Sequence, residues 1–409
     1  MKTIGIIAEF NPLHNGHQYL IAEAKRLLSV DFCVVIMSGN FVQRGAPALM
    51  DKYSRTRMTL LNGADLVIEL PVVYATASAE YFARGAVRLL DKLGIIDHLC
   101  FGSECGNLAS LKRAADLLSH ESALFQEELK SNLKKGMSYP QARSQSIDSF
   151  SQFGCEEAIS SDLTHLINQP NNILGIEYLK ALRFFDSKIS PATIKRQGSG
   201  YHDEQAQKGE FCSATAVRKM LLEGSAIGSF VPKNTLELYA RHENHPLDTV
   251  CVPENEFSEL LHYKLTLEAD SGYTQFFDVS SDLSDKIRKN LKHFTDCESF
   301  IHALKSKDLT YMRISRCLCH ILLDIFETDI TYYKERDYIF YARMLGFREK
   351  SGELLHEIKK HSMVPLLSKV ADANRLLDEA GMRMLRKDIQ AAHIYNRKMN
   401  EYTVPIVKI

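Results

Sequence analysis

The chain has 409 residues, 45% of them hydrophobic and 25% charged, and a formal net charge of -1. That length supports two or three domains able to bury their own cores without staples. The balanced charge excludes a globally basic nucleic-acid binder, although 50 lysines and arginines leave room for a local basic face.

MKTIGIIAEF opens with a strand-like run, Thr3 to Ala8, which is too brief for a signal peptide and is closed by Glu9. No stretch approaches the roughly 20 apolar residues of a membrane span, so a cytoplasmic protein with no membrane partner is expected. Gly16 to Leu28 has helical spacing, Phe32 to Met37 is the next apolar run, Lys52 to Leu61 reads as a helix and Asp65 to Leu70 as a strand. Ser78 to Leu93 is helical again, and His98 to Gly102 is a fourth strand. This rhythm predicts an α/β fold, a parallel sheet whose near-continuous apolar strands are covered by helices on both faces.

Asn107 to Phe185 is mainly helical, with a polar interruption at Gln145 to Gln152. Ile189 to Lys195 is a fifth strand, Arg196 to Phe211 a loop, and Ser213 opens a short helix that ends before Gly224. Beyond Gly228 the helical segments Phe257 to Leu265, Ser284 to Leu291, Tyr311 to Phe326 and Lys369 to Glu379 dominate. The expected division is therefore an α/β domain over 1–228 and a mainly α-helical domain over 229–409. Nine cysteines at irregular positions form no paired zinc spacing and suggest a reducing compartment. Cys317-Leu318-Cys319-His320, the tightest cluster, lies in an apolar helical stretch and reads as buried thiols, so no metal site is expected.

The chemistry concentrates at strand ends, where open parallel sheets bind ligands. Phe10-Asn11-Pro12-Leu13-His14-Asn15-Gly16-His17 sits between the first strand and the first helix, whose N-terminus offers free amides and a positive dipole end to phosphate. His14 and His17 are three residues apart and can face one ligand, donating to phosphate oxygens as charge builds during nucleotidyl transfer. Ser213-Ala214-Thr215-Ala216-Val217-Arg218 supplies a helix cap in Ser213, a hydroxyl in Thr215 and a charge clamp in Arg218. Ser38 to Gly45 and Phe101-Gly102-Ser103-Glu104 follow the second and fourth strands, and read either as plain turns or as ligand loops. In Gln169-Pro170-Asn171-Asn172, either asparagine could cap a helix or read a nucleotide. Arg196, in the glycine-rich stretch Lys195 to Asp203, is placed for an anion. Lys52, Arg55 and Arg57 read as a solvated basic helix face.

HxGH followed by SxTxxR resembles the nucleotidylyltransferase superfamily. AEFNPLHNGH, MSGNFVQRG, DLVIELP, FGSE, QPNNILGIEYLKAL, RQGSGYHDE and SATAVRKML, in that order, together resemble the bacterial tRNA(Met) cytidine acetate ligases; the helical remainder, with TYMRISRCLCHILL and YARMLGF, is similar too. The resemblance implies a Rossmann-like sheet on which acetate attacks the α-phosphate of ATP, followed by acetyl transfer to the wobble cytidine of elongator tRNA(Met), giving N(4)-acetylcytidine. It implies an ATP site made of Ile7, Ala8, Glu9, Phe10, Asn11, Pro12, Leu13, His14, Asn15, Gly16, His17, Gln18, Tyr19 and Leu20, with Gly102, Asn171 and Arg196. His14 and His17 match the transfer histidines. Magnesium is expected with the ATP. The family pattern has glutamate near Ala46, serine at Asp51 and tryptophan at Tyr53, and these departures bear on tRNA contacts more than on the ATP site. Arg313, Arg316, Arg343, Arg348, Arg383, Arg386 and Lys387 are candidate tRNA contacts. Rival readings are a small-molecule adenylyltransferase and a non-catalytic RNA-binding protein. The sequence is silent on oligomeric state.

Overall fold

Strand β1 (Thr3–Ala8) buries alternate residues on opposite sides: Ile4 and Ile6 join one core, Ile7 the other. β2 (Phe32–Ser38) repeats the pattern, with Cys33, Val35 and Met37 on one side and Val34 and Ile36 on the other. Two apolar faces explain the near-continuous hydrophobic runs and require a helical layer on each. The computed structural model describes residues 1–119, 127–128, 131–132, 166, 169–197, 212–239, 251–396 and 400–409. The expected polar interruption at Gln145 to Gln152 and the stretch Gly198 to Asp203 lie outside the described residues.

β3 (Leu66–Leu70), β4 (His98–Ser103) and β5 (Ser190–Lys195) complete the predicted strands. Three further strands come from the C-terminal half: β6 (Ala342–Phe347), β7 (Leu366–Leu367) and β8 (Val407–Lys408). The sheet order is β8-β6-β3-β2-β1-β4-β5, with β7 also paired to β6. All pairings are parallel except β3 with β6. Strand order reverses at β1, between β2 and β4, so the topological switch point lies at the carboxyl end of β1. The helices that frame this end are α1 (Asn15–Leu28), α2 (Lys52–Leu61), α3 (Ala79–Lys92), α4 (Pro170–Phe184), α5 (Ala214–Leu222) and α6 (Tyr311–Leu322).

The expected boundary near residue 228 does not leave the sheet behind. YARMLGF, read as part of a helical region, is strand β6, buried along its length and paired antiparallel with β3. Lys369 to Glu379 likewise breaks into two short turns, and the long helix runs from Glu379 to Tyr395, where Asp378 accepts the Gly381 amide as its cap. Helical periodicity cannot distinguish a short apolar strand from a helix segment, and β6 is six residues long.

The returning chain is held by buried charge. Lys52 and Arg55, expected on a solvated face, are both 0% exposed. Lys52 Nζ lies 2.8 Å from Glu69 and 2.9 Å from Glu401, while Arg343 of β6 lies 3.0 Å from Glu69 and also pairs with Glu401. Two cations thus meet two carboxylates drawn from α2, β3, β6 and the C-terminal tail. The departures at Asp51 and Tyr53 are absorbed here: Asp51 caps α2 by accepting the Tyr53 and Ser54 amides, and the Tyr53 hydroxyl donates to Glu401 at 3.1 Å. Ala46, Asp51 and Tyr53 are all buried, so none presents a side chain to a surface-bound tRNA. Burial alone would raise the Glu401 carboxyl, but Lys52 and Arg343 bring it down to about 2. A depressed carboxyl stabilises the fold above its unfolded pKa, and that contribution is lost as pH falls toward 2. Glu401→Gln should cost about 3–5 kcal/mol, because it leaves buried positive charge uncompensated. Urea denaturation at neutral pH measures this, and an unchanged midpoint would show the network to be neutral for stability.

Candidate active site

The chain leaves β1 through Phe10, a non-glycine residue at φ 46°, and turns back into α1. α1 is capped by its own histidines. His14 Nδ1 accepts the Gly16 amide at 3.1 Å, and His17 Nδ1 accepts the His14 amide at 3.3 Å. This is a capping box in which imidazoles take the places of the usual hydroxyl and carboxylate. The two rings stack with centroids 3.7 Å apart, and Phe10 meets His17 edge-on at 4.8 Å. With each Nδ1 occupied as an acceptor, the proton of each neutral ring sits on Nε2. Burial first, then the charges of Arg196 and Arg218, hold His14 down to about 3. His17 is also held well below its ordinary value, by burial, then by His14 and Arg196. Both rings are therefore neutral Nε2–H donors at physiological pH.

Around them opens a cleft that is continuous with solvent. Of the sequence-predicted residues, Ile7, Ala8, Glu9, Phe10, Asn11, His14, His17, Leu20, Gly102, Asn171, Arg196, Ser213, Thr215 and Arg218 line it. Gly16 and Tyr19 line an adjoining recess with Gln197 and Cys212. Pro12, Leu13, Asn15 and Gln18 do not reach the cleft. Leu13 is core, the Asn15 side chain bonds the Ser229 carbonyl, and Gln18 bonds Asn62. They fold the loop rather than face a ligand.

Arg218 and Thr215 come from α5, which Ser213 caps through the Ala216 amide as expected. Arg218 donates to the Asn11 carbonyl at 2.8 Å and to Thr215 Oγ1 at 3.1 Å. Arg44 donates to the same Thr215 oxygen at 3.3 Å. Thr215 thus accepts from two guanidiniums, and its own hydroxyl proton is left to donate. Arg44 stands on the loop after β2, whose Gly45 adopts φ +75°; a Cβ there would lie 2.4 Å from the backbone of Arg316 in α6. Ser315 of α6 donates to the Gly45 carbonyl at 3.1 Å. The helical half of the chain therefore sets the position of a cleft arginine.

Arg55 explains its own burial. Its guanidinium donates to the carbonyls of Met50, Glu9, Ser38 and Gly39, tying together the loops after β1 and β2. Glu104 caps α4 from outside the helix, taking the backbone amides of Asn171 at 3.1 Å and Asn172 at 2.8 Å. The two asparagines then divide: Asn172 is buried and accepts the Glu104 amide at 3.0 Å, whereas Asn171 lines the cleft.

The HIGH nucleotidyl transferase model matches residues 1–405. The chain belongs to the HIGH nucleotidyl transferase family. It is 40% identical to the tRNA(Met) cytidine acetate ligase of Caldanaerobacter subterraneus subsp. tengcongensis, with both chains covered completely. It is 36% identical to the protein of that name from Clostridium perfringens, covering 100% of this chain and 97% of the relative. Among solved structures, Thermotoga maritima TmcAL matches at 28% identity over the whole of both chains, with TM-scores of 0.92 for the apo form and 0.89 for the form bound with alpha-thio ATP.

In this HIGH nucleotidyl transferase, sequence reasoning missed Phe82, Leu174 and Tyr178 as cleft residues. They carry no sequence signal, because an apolar side chain on a helix reads as core whether it meets protein or ligand. The family's signature histidines generate a spectroscopic prediction. In the free protein, both rings should appear as neutral Nε2–H tautomers in ¹⁵N imidazole spectra, unchanged from pH 8 down to pH 5. A ring titrating near 6.5 would contradict the capping geometry. The lowered pKa also means that the His14 contribution to stability is complete above about 6.5 and is lost as pH falls toward 3.

Proposed function

We propose that the chain is an ATP-dependent tRNA(Met) cytidine acetate ligase, which forms acetyl-adenylate and passes the acetyl group to the wobble cytidine of elongator tRNA(Met). The observation that carries the reading is the convergence of His14, His17 and Arg218 on one cleft with Arg44 and Arg196, at the switch point of a parallel sheet. When an acetate oxygen attacks the α-phosphorus, the bond to pyrophosphate breaks and negative charge grows on the phosphate oxygens. Fixed Nε2–H donors and guanidiniums stabilise that charge without reorganising, and neutral imidazoles can donate without first gaining a proton. His14, His17 and Arg218 are the proposed catalytic groups. The lining residues named above, with Ser213 and Thr215, form the proposed ATP site.

Magnesium is handled differently. Among the described residues no three His, Cys, Asp or Glu side chains converge as a cage, and Glu9 is the single carboxylate of the cleft. The residues do not fit a resident magnesium site. The ion is expected as a counter-ion carried by the triphosphate, and no step is routed through it.

The similarity to full-length ligases supports acetate and tRNA over the mononucleotide substrates of a small-molecule adenylyltransferase. A cytoplasmic location is consistent with that substrate, and among the described residues no helix is long and apolar enough to cross a membrane. Most of the expected basic tRNA contacts are engaged within the fold. Arg313 pairs with Asp278, Arg348 with Asp65, and Arg383 and Lys387 with Asp329; Arg343 is buried, and at Arg316 it is the backbone that meets Gly45. Arg386 is the exposed member, in a depression shared with His393 and Tyr402. It is the proposed contact to the tRNA backbone.

Labelled acetate should appear on an unmodified tRNA(Met) transcript only when ATP is present. Label arriving from acetyl-CoA alone would sink the reading. His17→Ala should lower acetate-dependent pyrophosphate exchange by about 100-fold or more, the scale seen when a preorganised donor is removed. Unimpaired exchange would remove His17 from the catalytic groups, whereas no acetate-dependent exchange in the unsubstituted protein would favour the non-catalytic RNA-binding reading. Arg386→Ala should raise the KM for tRNA and reduce the salt slope by about 1, with pyrophosphate exchange unaltered. An unaltered salt slope would place the tRNA elsewhere.

A further inference from the structure

Acetyl transfer to an exocyclic amine releases a proton, and something in the cleft must take it. Three of the candidate groups are arginines, which cannot accept one. His14 and His17 have each committed Nδ1 to a backbone amide, so their neutral rings carry the proton on Nε2 and present no free lone pair. Thr215 Oγ1 already accepts from Arg218 and Arg44. Tyr178 has its phenol pushed up by burial and by nearby Glu9, and it stays protonated. What remains among the described residues is Glu9, the one carboxylate they bring to the cleft lining.

Glu9 is also held in place at both ends. Its carbonyl accepts from buried Arg55 at 2.7 Å, and its Oε1 accepts the Gln43 amide at 2.7 Å. A single backbone donor orients the carboxylate and leaves it acceptor capacity, since an ionised carboxylate offers about four lone-pair sites. It is half-buried, partly open to the cleft. Positioning of this kind is what a general base requires before its basicity matters.

We infer that Glu9 is the general base of the acetyl-transfer step. This inference rests on the proposed ligase function. The cytidine N4 attacks the carbonyl carbon of acetyl-adenylate, and a C–N bond forms. The C–O bond to the phosphate breaks, and its electron pair leaves with AMP. The proton lost from N4 passes to the Glu9 carboxylate and from there to solvent. No oxidant or further reactant is needed. The first half-reaction, in which acetate enters already ionised, requires no base, so the two halves should respond differently to loss of Glu9.

The test separates them. Acetate-dependent pyrophosphate exchange without tRNA reports the first half, and single-turnover transfer from preformed acetyl-adenylate to a tRNA(Met) transcript reports the second. Glu9→Gln keeps an acceptor for the Gln43 amide but cannot take the proton. It should slow transfer about 100-fold more than exchange, within the range general-base catalysis contributes. The acid limb of the pH profile for transfer should disappear, and Glu9→Asp should restore part of the rate together with that limb. Equal losses in both halves would confine Glu9 to its place in the ATP site and overturn the inference, as would unimpaired transfer. An unsubstituted protein without acetate-dependent exchange would instead overturn the functional reading itself.

Discussion

The first turn of α1 uses the imidazoles of His14 and His17 to satisfy its own backbone amides. Much of the site's chemistry follows from this constraint. A ring that accepts at Nδ1 must, when neutral, donate at Nε2. Two such rings stacked at 3.7 Å cannot both afford a positive charge in a buried setting beside Arg196 and Arg218. The helix cap therefore determines tautomer, charge and direction of donation together. It also removes the histidines from consideration as bases, which is why Glu9, the one carboxylate that the described residues bring to the cleft, acquires significance.

A second constraint is the need to satisfy strand-end carbonyls in a loop-rich region. Arg55 does so for Glu9, Ser38, Gly39 and Met50 from within the protein, and is 0% exposed as a result. A guanidinium suits this task because its planar fork presents several donors at once. Lys52, three residues earlier on α2, has a different partner set: Glu69 and Glu401, shared with Arg343. One face of α2 thus clamps the loops that shape the cleft and anchors the C-terminal tail. The same principle operates at α4, where Glu104 caps the helix and so keeps Asn171 at the cleft wall.

The halves of the chain are coupled through the cleft as well as through the sheet. Arg44 reaches Thr215, yet the loop that carries it rests on α6, where the absence of a side chain at Gly45 permits backbone-to-backbone approach. β6 meets β3 edge-on and places Arg343 beneath α2. A region expected to be a separate helical unit is in this way part of the frame that holds the site.

Local pattern alone was sufficient for the five N-terminal strands, for α1 and α2, and for setting HxGH after a strand, Arg196 at a strand end and SxTxxR at a helix start; that Gly102 and Asn171 join them was implied only by the family resemblance. Each of those signals is written in adjacent residues: a run of apolar side chains, a cap, a glycine or a basic residue after a strand. Tertiary structure decided what depends on partners distant in the chain. It buried Lys52 and Arg55, because carboxylates and carbonyls from other elements arrive to meet them. It turned YARMLGF into a strand, because β3 offered an open edge. It separated Asn171 from Asn172 and brought Phe82 and Tyr178 to the cleft, because hydrogen-bond satisfaction and apolar burial are settled by neighbours that sequence order does not name.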